Sequence, residues 1–210
     1  MTEIILARHG ETEWNVEEIF RGRSDIDLNE TGRKQAELLA GYLSNFDISA
    51  VYSSPLRRAI NTAETIARHH GLDVISSPGL TDFDYGKWQG VTNREIKEKY
   101  PELYAEWNSH PDRVTIPGGE NLGDVRERAT SVINTVINEC EGTAILVSHR
   151  VVIKVLICAL LGLDNSCFWN VRQDNCGITT FSDDNGLFIL KEHNNTSFLK
   201  PIQKTPLRDF

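Results

Sequence analysis

The chain has no uninterrupted apolar stretch approaching the roughly 20 residues that span a bilayer. Its longest candidate, Val151 to Leu163, is broken by Lys154 and Gly162. The N-terminal Met1 to Ala7 segment lacks both the basic start and the full apolar run of a signal peptide before it meets Arg8 and His9, which predicts a cytoplasmic chain with no membrane partner. Cysteine is scarce. Cys140, Cys158, Cys167 and Cys176 show no CxxC spacing, so reduced thiols are expected rather than a disulfide framework or a zinc cage. Positive charge is in deficit, with 22 Lys and Arg against 30 Asp and Glu, which argues against nucleic acid as the main partner. Any anion site must therefore be local. The chain also lacks internal repeats, low-complexity tracts and Ser/Gly linkers, and its 210 residues are expected to form one domain over 1–210.

What is present alternates between strand and helix signals. Short apolar runs at Glu3 to Ala7, Ala50 to Ser54, Val74-Ile75 and Thr143 to Ser148 predict buried strands, with Gly177 to Phe181 and Leu187 to His193 adding two more. From Thr31, read as an N-cap, Ala36, Leu39, Ala40 and Leu43 follow the spacing of one helical face. Leu122, Val125, Ala129, Val132, Val136 and Cys140 repeat that pattern. Pro55 to His70 reads as a helix opened by proline, and Arg150 to Leu161 as a buried helix closed by Gly162. Right-handed β-α-β crossovers then imply an α/β three-layer sandwich, a mostly parallel central sheet flanked by helices. Residues 76–119, with Trp88, Trp107, Pro101, Pro111 and Pro117, read as a helical lid-like insertion over one end of the sheet, cored by Phe83, Tyr85, Trp88 and Trp107. Residues 201–210 form a tail that either stays flexible or closes over the site.

Ligands in such sheets bind beyond the carboxyl ends of the strands. The first strand ends in Arg8-His9-Gly10, the second in Ser53-Ser54-Pro55 followed by Leu56-Arg57-Arg58, and the fourth in Ser148-His149-Arg150. Three strands thus deliver arginine or histidine to one edge, a convergence that a folded core does not require and that suits an anion. Arg57 points about 100° away from Arg58 around a helix and is expected in solvent. A metal would need His9, His149 and a carboxylate to converge, but the arginines at the same place repel a cation, so neither metal nor cofactor is expected.

The run Arg8-His9-Gly10-Glu11-Thr12 with Trp14-Asn15 resembles the signature of the histidine phosphatase superfamily, the phosphoglycerate-mutase-like fold. Gly22 with Asp25 to Leu28, Thr31-Gly32, Ser53 to Leu56, Arg58-Ala59, Gly86 to Gly90, Gly118-Gly119-Glu120 and Ser148-His149 continue the likeness in family order. The resemblance implies that His9 takes the phosphoryl group and that Arg8, Arg58 and His149 form the phosphate pocket. It implies substrate contacts from Asn15, Arg21, Gly22 and Asn175. Where the family places a glutamate as proton donor, four residues before Gly86, this chain has Asp82, with Asp84 a second candidate. Arg150 stands where the family commonly has glycine, and Arg21 where it more often has a neutral polar residue. A guanidinium at position 21 suits a carboxylate or second anionic group on the substrate. The implied activity is metal-independent hydrolysis of small phosphorylated metabolites through phosphohistidine. Within the phosphatase branch, Ala159 to Gly162 and Phe168-Trp169 are similar to phosphoserine phosphatases, with α-ribazole phosphatases also similar. The alternatives are a cofactor-dependent phosphoglycerate mutase, disfavoured by length, and a non-catalytic phosphate-binding module. A homodimer is expected on resemblance alone.

Overall fold

Because the strands of a parallel sheet are covered on both faces, their sequences read as continuous apolar runs, and each residue is assigned to one face or the other by the two-residue period. A computed structural model, describing residues 2–202, follows this rule. The central strand β1 (Glu3–Arg8) sends Ile4 and Leu6 into one core and Ile5 and Ala7 into the other. It pairs in parallel with β4 (Thr143–Ser148), which pairs with β2 (Ile48–Ser53), which pairs with the short β3 (Val74–Ser76). On its other side β1 pairs antiparallel with β5 (Ile178–Asp184), and β6 (Leu187–Asn195) closes that edge. The order is β3-β2-β4-β1-β5-β6. Arg8 lies opposite Ser148 and Ser53 opposite Val147, so the chemistry-bearing ends of β1, β2 and β4 are level.

Following a four-residue helix α1 (Glu13–Val16), α2 (Glu30–Leu43) and α3 (Arg57–His70) cover the face beneath Ile5 and Ala7. The opposite core holds the apolar stripes of α6 (Leu122–Glu139) and α7 (Arg150–Leu160), to which α4 (Asn93–Lys99) and α5 (Pro101–Ser109) contribute Ile96 and Trp107. Two helix starts and one core position differ from the sequence reading. The cap of α2 is Asn29, whose side chain accepts from the Gly32 N–H, and Thr31 lies inside the first turn. Helix α3 begins at Arg57, two residues after Pro55, because Asp25 reaches across from a distant loop and accepts from the Arg57 backbone N–H at 2.8 Å. On α6 the core position is Ile133, and Val132 is only half-buried.

Residues 76–119 form short 3-10 turns at Pro78–Leu80, Gly86–Trp88 and Pro111–Arg113 together with α4 and α5. Their aromatic residues pack as a continuation of the sheet's core. Phe83 meets Tyr85 edge-on at 4.8 Å, and Trp107 lies 5.6 Å from Phe168 beyond α7. Phe83, Tyr85, Trp88 and Trp107 are all buried. The tail expected over 201–210 lies, from 203 onward, outside the described residues. Among the described residues no helix is long and apolar enough to cross a membrane.

Candidate active site

A strand's carboxyl end leaves its last residues free to leave the sheet, and the β1–α1 loop uses this to bring His9 over the sheet edge. The His9 N–H donates to the Ser148 carbonyl, and its Nδ1 lies 2.6 Å from the Gly10 carbonyl oxygen. A carbonyl only accepts, so Nδ1 carries the proton and Nε2 keeps the lone pair. This loop is locked by two glycines in close contact. A Cβ on Gly10 would lie 2.4 Å from the Gly32 carbonyl oxygen, and one on Gly32 would lie 2.0 Å from that of Glu11. The Thr31-Gly32 pair thus serves the site from the start of α2.

Around His9 the predicted residues come together. Arg8, Arg58 and His149 are buried, and the two imidazole centroids are 5.1 Å apart. Arg8 Nη1 donates to the Gln173 carbonyl at 2.6 Å. Arg58, fully buried in the first turn of α3, donates to the carbonyls of Ser24 and Gly22 and to Asp82 Oδ2 at 2.9 Å. His149 Nε2 lies 2.7 Å from Ser54 Oγ, and its Nδ1 is 3.6 Å from Asp82 Oδ2. Asp82 therefore pairs with Arg58 and faces the His149 ring, with Oδ1 accepting from the Phe83 N–H. Asp84 faces away. It accepts from the Gly86 N–H and lies 3.4 Å from the exposed Arg23.

The substrate-facing candidates occupy the same shell. Asn175 donates to the His9 carbonyl at 3.2 Å, and Gly22, at φ +51°, supplies the carbonyl that orients Arg58. Asn15 Oδ1 accepts from both the N–H and the hydroxyl of Thr12, which ties α1 to the loop. Arg21 is buried, with Nη1 donating to the carbonyls of Trp14 and Ile19. Arg57 stands exposed on Asp25, as its helical position predicts.

A family profile for the histidine phosphatase superfamily (branch 1) matches residues 4–196. The chain belongs to this superfamily. It is 38% identical over 200 residues to phosphoserine phosphatase 1 of Hydrogenobacter thermophilus, covering 95% of each chain. Among solved structures, Bacillus stearothermophilus YhfR superposes with a TM-score of 0.90 at 29% identity, covering 95% of this chain and 100% of that one. The phosphoserine phosphatase of Entamoeba histolytica, solved with 3-phosphoglyceric acid, superposes with a TM-score of 0.84 at 32% identity and covers 95% and 100% of the two chains.

The supporting residues of this superfamily member differ in how far sequence reasoning reaches them. Gln173 acts through its backbone carbonyl, which any residue type supplies, so no side-chain signal marks it. Ser54 stands in the Ser53-Ser54-Pro55 run read as a strand end, but its hydroxyl's partnership with His149 emerges only from the fold. Arg128 and Glu120 form a clamp behind the pocket. Arg128 donates to the carbonyls of Gly79, Thr81 and Asp82 and pairs with Glu120 at 3.0 Å, fixing the segment that carries Asp82.

Burial holds the pKa values of both His9 and His149 well below the ordinary 6.5, with the Arg58 guanidinium adding to the effect at each. Both rings are thus neutral in the folded chain at pH values where an unfolded chain binds protons. As pH falls below about 6.5, the unfolded state takes up protons at positions 9 and 149 that the folded state refuses. Stability should decline over that range by up to about 1.4 kcal/mol per pH unit for each histidine. Above it these two groups contribute no slope. Thermal melts between about pH 5 and 7 measure the effect, and His149→Gln should flatten the curve. Identical slopes in variant and wild type would contradict this assignment.

Proposed function

We propose that this single domain is a metal-independent phosphomonoesterase of the cytoplasm, working on small phosphorylated metabolites through a phosphohistidine at His9. The observation that carries the reading is the pairing of a neutral His9, held in the Nδ1–H tautomer, with buried guanidinium groups at Arg8 and Arg58. Phosphoryl transfer spreads negative charge over three equatorial oxygens, and fixed guanidinium donors stabilise that charge. His9 Nε2 attacks phosphorus as the ester P–O bond breaks. Asp82 gives the leaving oxygen its proton. Water then attacks the phosphohistidine, Asp82 takes back a proton, and phosphate leaves.

An arriving phosphate monoanion competes with Asp82 for the Arg58 guanidinium and gives its own proton to the released Oδ2, which then carries that proton to the leaving oxygen. His149 donates to the phosphate from a position fixed by Ser54. Relatives named phosphoserine phosphatases and a solved structure named as an α-ribazole phosphatase support phosphoserine-like or α-ribazole-phosphate-like substrates. Family resemblance also supports a homodimer, and the free cysteines suit a reducing compartment.

The test is phosphate release in the presence of a chelator from phosphoserine, 3-phosphoglycerate, sugar phosphates, α-ribazole phosphate and an aryl phosphate, beside a mutase assay on 3-phosphoglycerate. Chelator-resistant hydrolysis is expected. Isomerisation without net release would make the chain a mutase, and binding without turnover a phosphate-binding module.

A further inference from the structure

Beside the phosphate position lies a second group of polar side chains that the hydrolytic steps do not use. Arg21 is 8% exposed, its Nη1 is held by the carbonyls of Trp14 at 3.2 Å and Ile19 at 3.4 Å, and its Nε has no hydrogen-bond partner among the described residues. Those two carbonyls fix the guanidinium without neutralising it. Arg150, also buried, leaves its guanidinium carbon 6.0 Å from the Trp169 ring centre and hydrogen-bonds through its side chain to Tyr85. The Tyr85 hydroxyl feels Arg150, Asp82 and Arg21 together, while Arg21 feels Arg8 and Arg150. Burial, followed by repulsion from Arg8, pulls the Arg21 pKa down to about 9 although Asp82 opposes the shift, the mark of a cation deprived of water whose neighbouring cations outweigh the one nearby carboxylate. An anion arriving there relieves both costs.

The chemistry of the group selects the anion. The phosphoryl oxygens are taken by Arg8, Arg58 and His149 while His9 faces phosphorus, so Arg21 meets the part of the substrate beyond the ester oxygen. A guanidinium fork with a neighbouring phenol matches a planar carboxylate, which accepts two parallel N–H donors and a hydroxyl. We propose that Arg21, with Arg150 and Tyr85, forms a carboxylate subsite next to the phosphoryl position, making phosphomonoesters with a carboxylate near the ester carbon the preferred substrates. This rests on the phosphatase reading and adds to it the substrate class and the residues that select it.

Two substrate pairs that differ at the carboxylate test it: O-phosphoserine against O-phosphoethanolamine, and 3-phosphoglycerate against glycerol 3-phosphate. Wild type should favour the carboxylated member of each pair by about tenfold or more in kcat/KM, the range of a hydrogen-bonded charge pair. In Arg21→Gln both ratios should fall by about tenfold, in Arg21→Glu they should drop below those of Arg21→Gln, and Arg21→Lys should recover part of the preference. A general loss of structure would lower both members together and leave the ratio unmoved. Ratios near one in wild type overturn the subsite while leaving the phosphatase reading intact. The same holds for wild-type ratios retained by a folded Arg21→Gln protein. If wild type hydrolyses no phosphomonoester, the phosphatase reading falls and the subsite with it.

Discussion

Replacing His9 by alanine is expected to reduce phosphate release by at least about 10⁴-fold, the scale seen when a covalent nucleophile is removed. The pocket's cations remain in this variant, but without an imidazole there is no atom to accept the phosphoryl group. Water would have to attack the bound ester directly, without the covalent step that splits the displacement in two. The second readout is the intermediate. With radiolabelled substrate, wild type quenched in alkali should retain label on the protein, because phosphohistidine survives base and is lost in acid, and His9→Ala should retain none. The His9 ring bonds the adjacent Gly10 carbonyl and lies 5.1 Å from the His149 ring, with no ion pair among the described residues to lose, so folding should survive the substitution. A folded variant that keeps more than about a hundredth of wild-type turnover would remove His9 from the nucleophile's role.

The convergence of Arg8, His9, Ser54, Arg58 and His149 was legible because strand order in a βαβ unit is constrained by handedness and register. Once Glu3 to Ala7, Ala50 to Ser54 and Thr143 to Ser148 are read as parallel strands, their carboxyl ends must lie on the same edge. Helix starts were less legible, because the groups that cap them come from outside the local window. Asp25 caps α3 from 32 residues away, which no periodicity in Pro55 to His70 reveals. Residues 81–86 show the same limit. Asp82 and Asp84 sit in a stretch without helical or strand period, so spacing alone cannot rank them. Tertiary contacts do. Arg128 and Glu120 hold the backbone around Asp82 and Asp84, so that Asp82 faces Arg58 while Asp84 faces Gly86 and Arg23. Burial of Arg21 was equally hidden, because a loop arginine is ordinarily solvated and only the carbonyls of Trp14 and Ile19 explain why this one is not.

Arg58→Met is expected to produce the largest combined loss of stability and activity in the chain. Arg58 is completely buried and Asp82 nearly so, at 2.9 Å. Removing the guanidinium leaves a buried carboxylate without its charged partner, which costs about 3–5 kcal/mol, or a Tm drop of roughly 6–20 °C for a chain of this size. It also releases the Gly22 and Ser24 carbonyls that Arg58 bonds, loosening the loop that begins at Arg21. The reverse deletion is milder, because in Asp82→Asn the guanidinium keeps both carbonyl acceptors and the amide oxygen can still accept. The double variant Arg58→Met/Asp82→Asn should therefore recover more than half of the stability lost in Arg58→Met, a coupling that distinguishes an orphaned charge from a simple cavity. Activity should not recover with it. The phosphate has lost a fixed cation, so kcat/KM should be down by about 10²–10³-fold in Arg58→Met and lower still in the double variant, which also lacks the Asp82 proton donor. Equal Tm values for Arg58→Met and the double variant would mean that packing, not the buried charge pair, sets the stability of this site.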